Sequence, residues 1–210
     1  MDYTQFKVLE FRRKFFKFFG ASITIFDGST GNAVGYIIMK AFRLRGDIRV
    51  FADKEQHQEL VHIGGRQIVS FKPSYDVTDS ATGQQLITVR FQSLRSYLYR
   101  VRVDLLDASG SQYGYVQETS SQLAIMRRWL GLLPFGDYLE LIFAWVPQTF
   151  DIMYAPGGET PQIAGKITHR KNPVIVKMSL DTTQAQTNID PRINIAVCTI
   201  LSILDANKNA

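Results

Sequence analysis

Few side chains in the sequence are suited to catalysis or to metal binding. It contains one cysteine and three histidines, so it lacks the residues for an internal disulfide framework or a multi-cysteine zinc or iron–sulfur site. His57, Glu59 and His62 lie close together, but they lack the HExxH spacing that places two imidazoles on one helical face. No glycine-rich phosphate loop is present either. We expect these two histidines to be ordinary structural or surface residues and His169 to lie at the surface, in a non-enzymatic protein without metal or cofactor.

Four aspartates recur at nearly equal intervals, each at the start of a polar turn. They are Asp27, Asp53, Asp79 and Asp107, separated by 26, 26 and 28 residues. Carboxylates can form acid–base pairs, but an aspartate that opens a turn also accepts hydrogen bonds from the backbone that follows it. The turns contain glycines that can adopt a positive φ: Gly28, Gly31, Gly83 and Gly110. The regular recurrence favours backbone capping over catalysis.

Runs of β-branched and aromatic residues flank each of these turns, as in YDVT-DSATGQQ-LITVRF, and each unit predicts a β-hairpin. A fifth, less regular copy spans residues 150–169, and a further strand is predicted at Pro173–Met178. Between these copies the spacing of apolar residues predicts a short helix within Gln122–Leu133, whereas Tyr138–Val146 suits a strand or a helix. Successive hairpins leave unpaired sheet edges, and closing the sheet into a barrel removes them.

The C-terminal part of the chain predicts an enclosed helix. Asp190 and Pro191 suit the N-cap and first helical positions, and from Ile193 to Leu204 apolar residues cover nearly the whole helical circumference. A helix over Pro191–Asp205 is about 22 Å long, which is shorter than the roughly 30 Å hydrocarbon core of a bilayer. We therefore expect protein to enclose it, with Cys198 buried as a small hydrophobe.

Hairpins followed by an apolar helix resemble the tubby C-terminal-like superfamily, which includes the phospholipid scramblases and the plant LURP-one-related proteins. The resemblance covers roughly Ile23 to Leu204. It depends on the turns ITIFD, YDVTDSATG and LLDASG, the segment GYVQE and the ending INIAVCTILSIL. It implies a closed antiparallel barrel of about twelve strands around a central helix at residues 190–205, in a single mainly β domain over residues 1–210. The segment SLDTTQAQTNID lacks the alternating oxygen ligands of a calcium loop, so calcium-dependent scrambling has little support.

Positive charge is concentrated near the N-terminus. The net charge is +5, and the first 20 residues hold five basic and two acidic residues. Read as a helix, FRRKFFKFF at residues 11–19 places four phenylalanines on one side and three basic residues on the other, a pattern typical of membrane-surface helices. Read as a strand, both of its faces are mixed. We therefore favour a helix over a strand. The segment either lies on a membrane as this helix or packs its aromatics against the barrel, as the helix or as an irregular strand.

Other basic residues complete a set of candidate anion-binding side chains. The set is Arg12, Arg13, Lys14, Lys17, Arg43, Arg45, Arg95, Arg100, Lys166, Arg170 and Lys171. Resemblance to the tubby proteins implies that such residues bind phosphoinositide headgroups of an anionic membrane. Because the start of the chain lacks a secretory signal, we expect a cytoplasmic protein, peripheral at the inner face of a membrane.

Several other functions stay open from the sequence. The chain could be a structural or protein-interaction module that does not bind lipid, with its basic residues as ordinary surface, or a phospholipid scramblase. A hollow barrel that carries an apolar ligand is another alternative and requires an empty lumen. Nucleic acid is disfavoured as a partner because no recognition helix or RNA-binding aromatic motif accompanies the arginines.

Overall fold

Twelve antiparallel strands form a closed barrel in the computed structural model of the chain. The residues described are 3–16, 20–40, 47–66, 73–92, 102–119, 147–170, 177–187 and 189–207. The strands are β1 (Val8–Phe16), β2 (Gly20–Asp27), β3 (Ala33–Lys40), β4 (Asp47–Phe51), β5 (Glu59–Gly65), β6 (Ser74–Asp79), β7 (Gln85–Phe91), β8 (Arg102–Leu106), β9 (Gln112–Glu118), β10 (Gln148–Tyr154), β11 (Gln162–Arg170) and β12 (Lys177–Asp181). Each strand pairs with the next along the chain, and β12 pairs with β1 to close the barrel. The predicted mainly β barrel is confirmed.

The predicted turn aspartates cap their own hairpins. Asp27 accepts hydrogen bonds from the backbone N–H of Ser29 at 3.0 Å and from its hydroxyl at 2.6 Å, and the other three turn aspartates also accept backbone N–H groups. Gly31 has a φ of +74°, as expected of the turn glycines. The expectation was wrong for Gly28, which does not have a positive φ. Glycine is required at position 28 for a steric reason, because a Cβ there would lie 2.6 Å from a methyl carbon of Val8.

A buried helix, α1 (Pro191–Asn207), fills the barrel. It begins as predicted, with the Asp190 carboxylate accepting the backbone N–H of Arg192 at 2.9 Å. Its side chains from Ile193 to Ile203 are buried, and Cys198 is fully inaccessible. The hydroxyl of Thr199 donates to the carbonyl of Ile195 at 2.7 Å, so a polar group is satisfied inside the core. An occupied lumen contradicts the hollow-barrel alternative.

The N-terminal basic segment is a strand, so the preferred helix was wrong. β1 pairs with β2 on one side and with β12 on the other. Leu9 and Phe11 face the interior, and Phe11 is only 1% exposed. The physical reason is that two rows of backbone hydrogen bonds and burial of the alternate apolar side chains outweigh the helical arrangement of the phenylalanines. Residues 17–19 lie outside the described part of the chain.

Two other predicted elements differ from the structure or lie beyond its description. The last strand is Lys177–Asp181, later in the chain than the predicted Pro173–Met178, of which residues 173–176 are not among the described residues. The segments predicted as a helix at 122–133 and as strand or helix at 138–146 also lie outside those residues. Among the helices that are described, none is long and apolar enough to cross a bilayer.

Candidate anion-binding face

The outer faces of β11, β12 and β1 lie side by side across the point where the barrel closes. Alternation along β11 turns Ile167 and His169 inward and leaves Lys166, Thr168 and Arg170 on the outside. The buried position of His169, 2% exposed, contradicts the expectation of a surface residue. His169 is buried because alternate residues of a strand point to opposite sides of the sheet. The basic residues that follow it in the sequence do not indicate on which side it lies.

Register places three cations in one row across these strands. Arg170 of β11 is directly opposite Lys177 of β12, and Lys177 is directly opposite Arg12 of β1. Directly opposite side chains of antiparallel strands have Cβ atoms about 4.5–5.5 Å apart. We call Arg170, Lys177 and Arg12 the cationic row.

Several other cations on the outside of the barrel face carboxylates. Lys166 is opposite Asp151 on β10 and Asp181 on β12. The ion pairs among the described arginines include Arg49 with Asp47 and Glu59, Arg66 with Asp76, Arg90 and Arg102 with Asp104, and Arg192 with Asp79 and Asp190. Such matching is the usual arrangement on a sheet, where opposite charges across strands are favourable.

The cationic row departs from this matching. Arg12 is partly balanced, because its guanidinium donates to Glu10 at 2.8 Å and lies 4.4 Å from the centre of the Phe26 ring. In contrast, neither Arg170 nor Lys177 has an ion-pair partner among the described residues, and both are exposed. Two side chains that are cationic at neutral pH thus lie side by side in contact with solvent.

Hydroxyl groups lie next to these two cations. Thr168 and Ser179 are directly opposite each other in the adjoining row, and the Ser179 hydroxyl donates only a long 3.5 Å hydrogen bond to the Thr168 carbonyl. A guanidinium, an ammonium and neighbouring hydroxyls are the donors that recognise phosphate or carboxylate oxygens. The chemistry of this face therefore suits an anion.

The structure separates the basic residues that the sequence grouped together. Arg12 and Arg170 are in the cationic row, whereas Arg13 is buried and faces the interior, where Glu118 and His169 are also buried. Lys166 lies on the same outer face beside its two carboxylates. Six candidates lie outside the described residues, and for Lys14 only the backbone is described. The six are Lys17, Arg43, Arg45, Arg95, Arg100 and Lys171.

Lys177 was absent from the candidates chosen from the sequence, although it is central to the row. Its importance depends on register with a strand near the other end of the chain. The useful signal would have been the pairing of the last strand with the first, which barrel closure requires.

The other side chains that could take part in catalysis or metal binding have structural roles. The carboxylate of Asp27 has its pKa lowered to about 2, first by the Ser29 hydroxyl and then by that of Thr30. Burial disfavours the charge of Asp47, but hydrogen bonds from Arg49 and His62 outweigh it and lower the pKa. Burial also raises the pKa of the Cys198 thiol. Among the described residues, no three histidine, cysteine or acidic side chains are grouped so that they could hold a metal ion.

Comparison with known proteins bears on most of the barrel. No curated protein and no solved structure matches the chain. The family model described as LURP-one-related matches residues 34–204, which include strands from β3 onward and most of α1. Together with the closed twelve-stranded barrel around a C-terminal helix, this match shows that the chain belongs to the LURP-one-related family of the tubby-like C-terminal superfamily.

Proposed function

We propose that this protein binds anionic phospholipid headgroups at a membrane surface through the cationic row. The observation that carries the proposal is the pair formed by Arg170 and Lys177, opposite each other and without a carboxylate partner among the described residues. A phosphate group has the charge and the acceptor oxygens to match both side chains. The proposed role is non-enzymatic, as is general in the family, and peripheral at the cytoplasmic face of a membrane.

The distribution of charge along the barrel supports one orientation. The row lies towards the end of the barrel where β11 ends and β12 begins. The turns and strand ends at the opposite end are rich in acidic residues. Examples are Asp27, Asp53, Glu55, Asp79, Asp107, Glu159 and Asp181. An anionic surface attracts the first end and repels the second.

The expected affinity is modest. Each basic residue close to an anionic bilayer contributes on the order of 1 kcal/mol. Arg170 and Lys177 therefore supply about 2 kcal/mol, or roughly a thirtyfold preference for anionic over neutral lipid, and Arg12, which is paired with Glu10, adds less. Such binding is reversible and weakens as salt is added.

Vesicle co-sedimentation tests the proposal. The full chain is mixed with phosphatidylcholine vesicles, with and without a phosphoinositide, over a series of salt concentrations. Arg170→Gln/Lys177→Gln should lower the affinity for the anionic vesicles about 10- to 30-fold, since two cations are lost.

Lys166→Gln is the matched control, because it removes a cation from the same face that is already opposite two carboxylates. We expect it to change binding less than threefold, since its charge is locally balanced. Absence of binding at low salt would overturn the proposal and would favour a lipid-independent interaction module. An equal loss in the control and in the double variant would show that the row is not the binding face.

A further inference from the structure

The strand that closes the barrel has different charge pairing at its two ends. β12 has five residues, and each is paired with β11 on one side and β1 on the other. At its last residue, Asp181 is opposite Lys166, a favourable pair. At its first residue, Lys177 is opposite a cation on both sides. We call the pairing of residues 177–181 with residues 166–170 on one side and with residues 8–12 on the other the closure seam.

Hydrogen bonds add to this asymmetry. Directly beyond Asp181, both the backbone N–H and the hydroxyl of Thr182 donate to the carbonyl of Lys7, at 2.8 and 3.1 Å. This end of the closure seam is therefore stabilised by two hydrogen bonds and by opposite charges at facing positions. At the Lys177 end, like charges directly opposite each other oppose pairing.

We propose that a phosphate group binds between Arg170 and Lys177 and that its binding stabilises the Lys177 end of the closure seam. The inference rests on the proposed function for the class of ligand, a phosphate borne either by a lipid headgroup or by a soluble molecule. A phosphate placed between the two side chains accepts hydrogen bonds from both, so their mutual repulsion is replaced by attraction to a shared anion.

Coupling between the site and the closure seam follows from linkage. A ligand that binds the closed pairing more tightly than the frayed pairing shifts the equilibrium towards the closed form. The stabilisation by ligand is local, because hydrogen bonds from Thr182 already hold the other end of the closure seam in the absence of ligand. Exchange of backbone amides near Lys177 should therefore respond to the anion, whereas exchange near Asp181 should not.

Hydrogen–deuterium exchange of the full chain tests the inference, with site-resolved amides of β12 as the readout. One arm replaces chloride with inorganic phosphate at constant ionic strength, and a second adds vesicles of phosphatidylcholine containing a phosphoinositide. Amides from Lys177 to Ser179 should exchange about two- to fivefold more slowly in both arms, the range that relief of one cross-strand repulsion allows. Amides of Asp181 and Thr182 should be unchanged.

Two variants separate this mechanism from general stabilisation. Lys177→Gln removes the repulsion, so its β12 amides should exchange about twofold more slowly than wild type without any anion, and they should lose the response to both probes. Lys166→Gln is the control and should retain the response at Lys177, because the cationic row is intact. An equal response in Lys177→Gln would overturn the inference.

The two arms also distinguish the inference from the proposed function. Vesicle binding without slower exchange at Lys177 would overturn the inference and leave membrane binding in place. Slower exchange with inorganic phosphate but no vesicle binding would overturn the membrane function and support the phosphate site. No response and no binding would overturn both.

Discussion

Arg192 connects the start of the central helix to the third hairpin, and its replacement tests what holds the helix in the barrel. One guanidinium nitrogen lies 3.1 Å from the Asp79 carboxylate, and another lies 2.6 Å from Asp190. The side chain of Arg192 is 30% exposed, and that of Asp79 is 11% exposed. Arg192→Met keeps the length of the side chain and removes the charge and all of its hydrogen-bond donors.

The expected cost follows from this partial burial. A hydrogen bond to a charged group contributes about 1.5–3 kcal/mol when well shielded, and an exposed ion pair contributes about 0.2–1 kcal/mol. The Arg192 side chain is neither fully shielded nor fully exposed. We therefore expect Arg192→Met to lower the free energy of unfolding by about 1–2 kcal/mol after allowance for solvent screening. In a chain of this size each kcal/mol lowers the Tm by about 2–4 °C.

A double-mutant cycle with Asp79→Asn isolates the contact between helix and hairpin. Asparagine can still cap the turn through its carbonyl oxygen, so the cycle reports mainly the ion pair. Urea denaturation should give a coupling energy of about 1 kcal/mol. The control is the Arg12–Glu10 pair, whose side chains are 41% and 36% exposed, with an expected coupling below about 0.5 kcal/mol. A coupling for Arg192 no larger than this control would refute the reasoning.

Three further predictions concern the barrel itself. A Cβ at Gly114 would collide with the carbonyl oxygen of Met153 on the paired strand, so Gly114→Ala should destabilise the fold by about 1–3 kcal/mol in urea denaturation. Gly64→Ala, where the nearest atom is 3.6 Å away, should have a much smaller effect. Ile195→Ala should cost about 2–5 kcal/mol, and Ile195→Val about 1 kcal/mol, because this side chain is 1% exposed inside the barrel; equal costs would argue against enclosure. Because folding lowers the pKa of Asp27 from 3.8 to about 2, its contribution is complete above pH 4 and is lost as pH falls to 2, so the stability difference between wild type and Asp27→Asn should shrink across that range in denaturation measured at each pH.

The features that sequence predicted well are those with local causes. A capped turn needs only an aspartate and the donors two or three residues further along, and Asp27 with Ser29 meets that requirement. The start of the central helix is equally local, with the Asp190 carboxylate accepting a backbone N–H two residues away. The enclosure of the helix followed from its apolar circumference, which no surface helix of a soluble protein tolerates.

The features that sequence missed depend on partners far away along the chain. Residues 8–16 form a strand because β12 pairs with residues 8–12 and β2 pairs with residues 9–16. Leu9, Phe11 and Arg13 all point inward. Because one of these inward positions is a charged residue, the sequence does not show the alternation of apolar and polar residues that is typical of a strand. Lys177 is significant only through its register with Arg12 and Arg170. No local pattern contains that information.

Barrel closure also changes what the basic N-terminus can contribute to binding. Two adjacent arginines of β1 point in opposite directions, with Arg12 on the outer face and Arg13 buried inside. An amphipathic helix would have displayed the cations of this segment together, but a strand divides them between solvent and core. Arg12 gains cationic neighbours from the other end of the chain instead. Electrostatic attraction to an anion therefore depends more on how β11, β12 and β1 are paired than on the density of basic residues in any one segment.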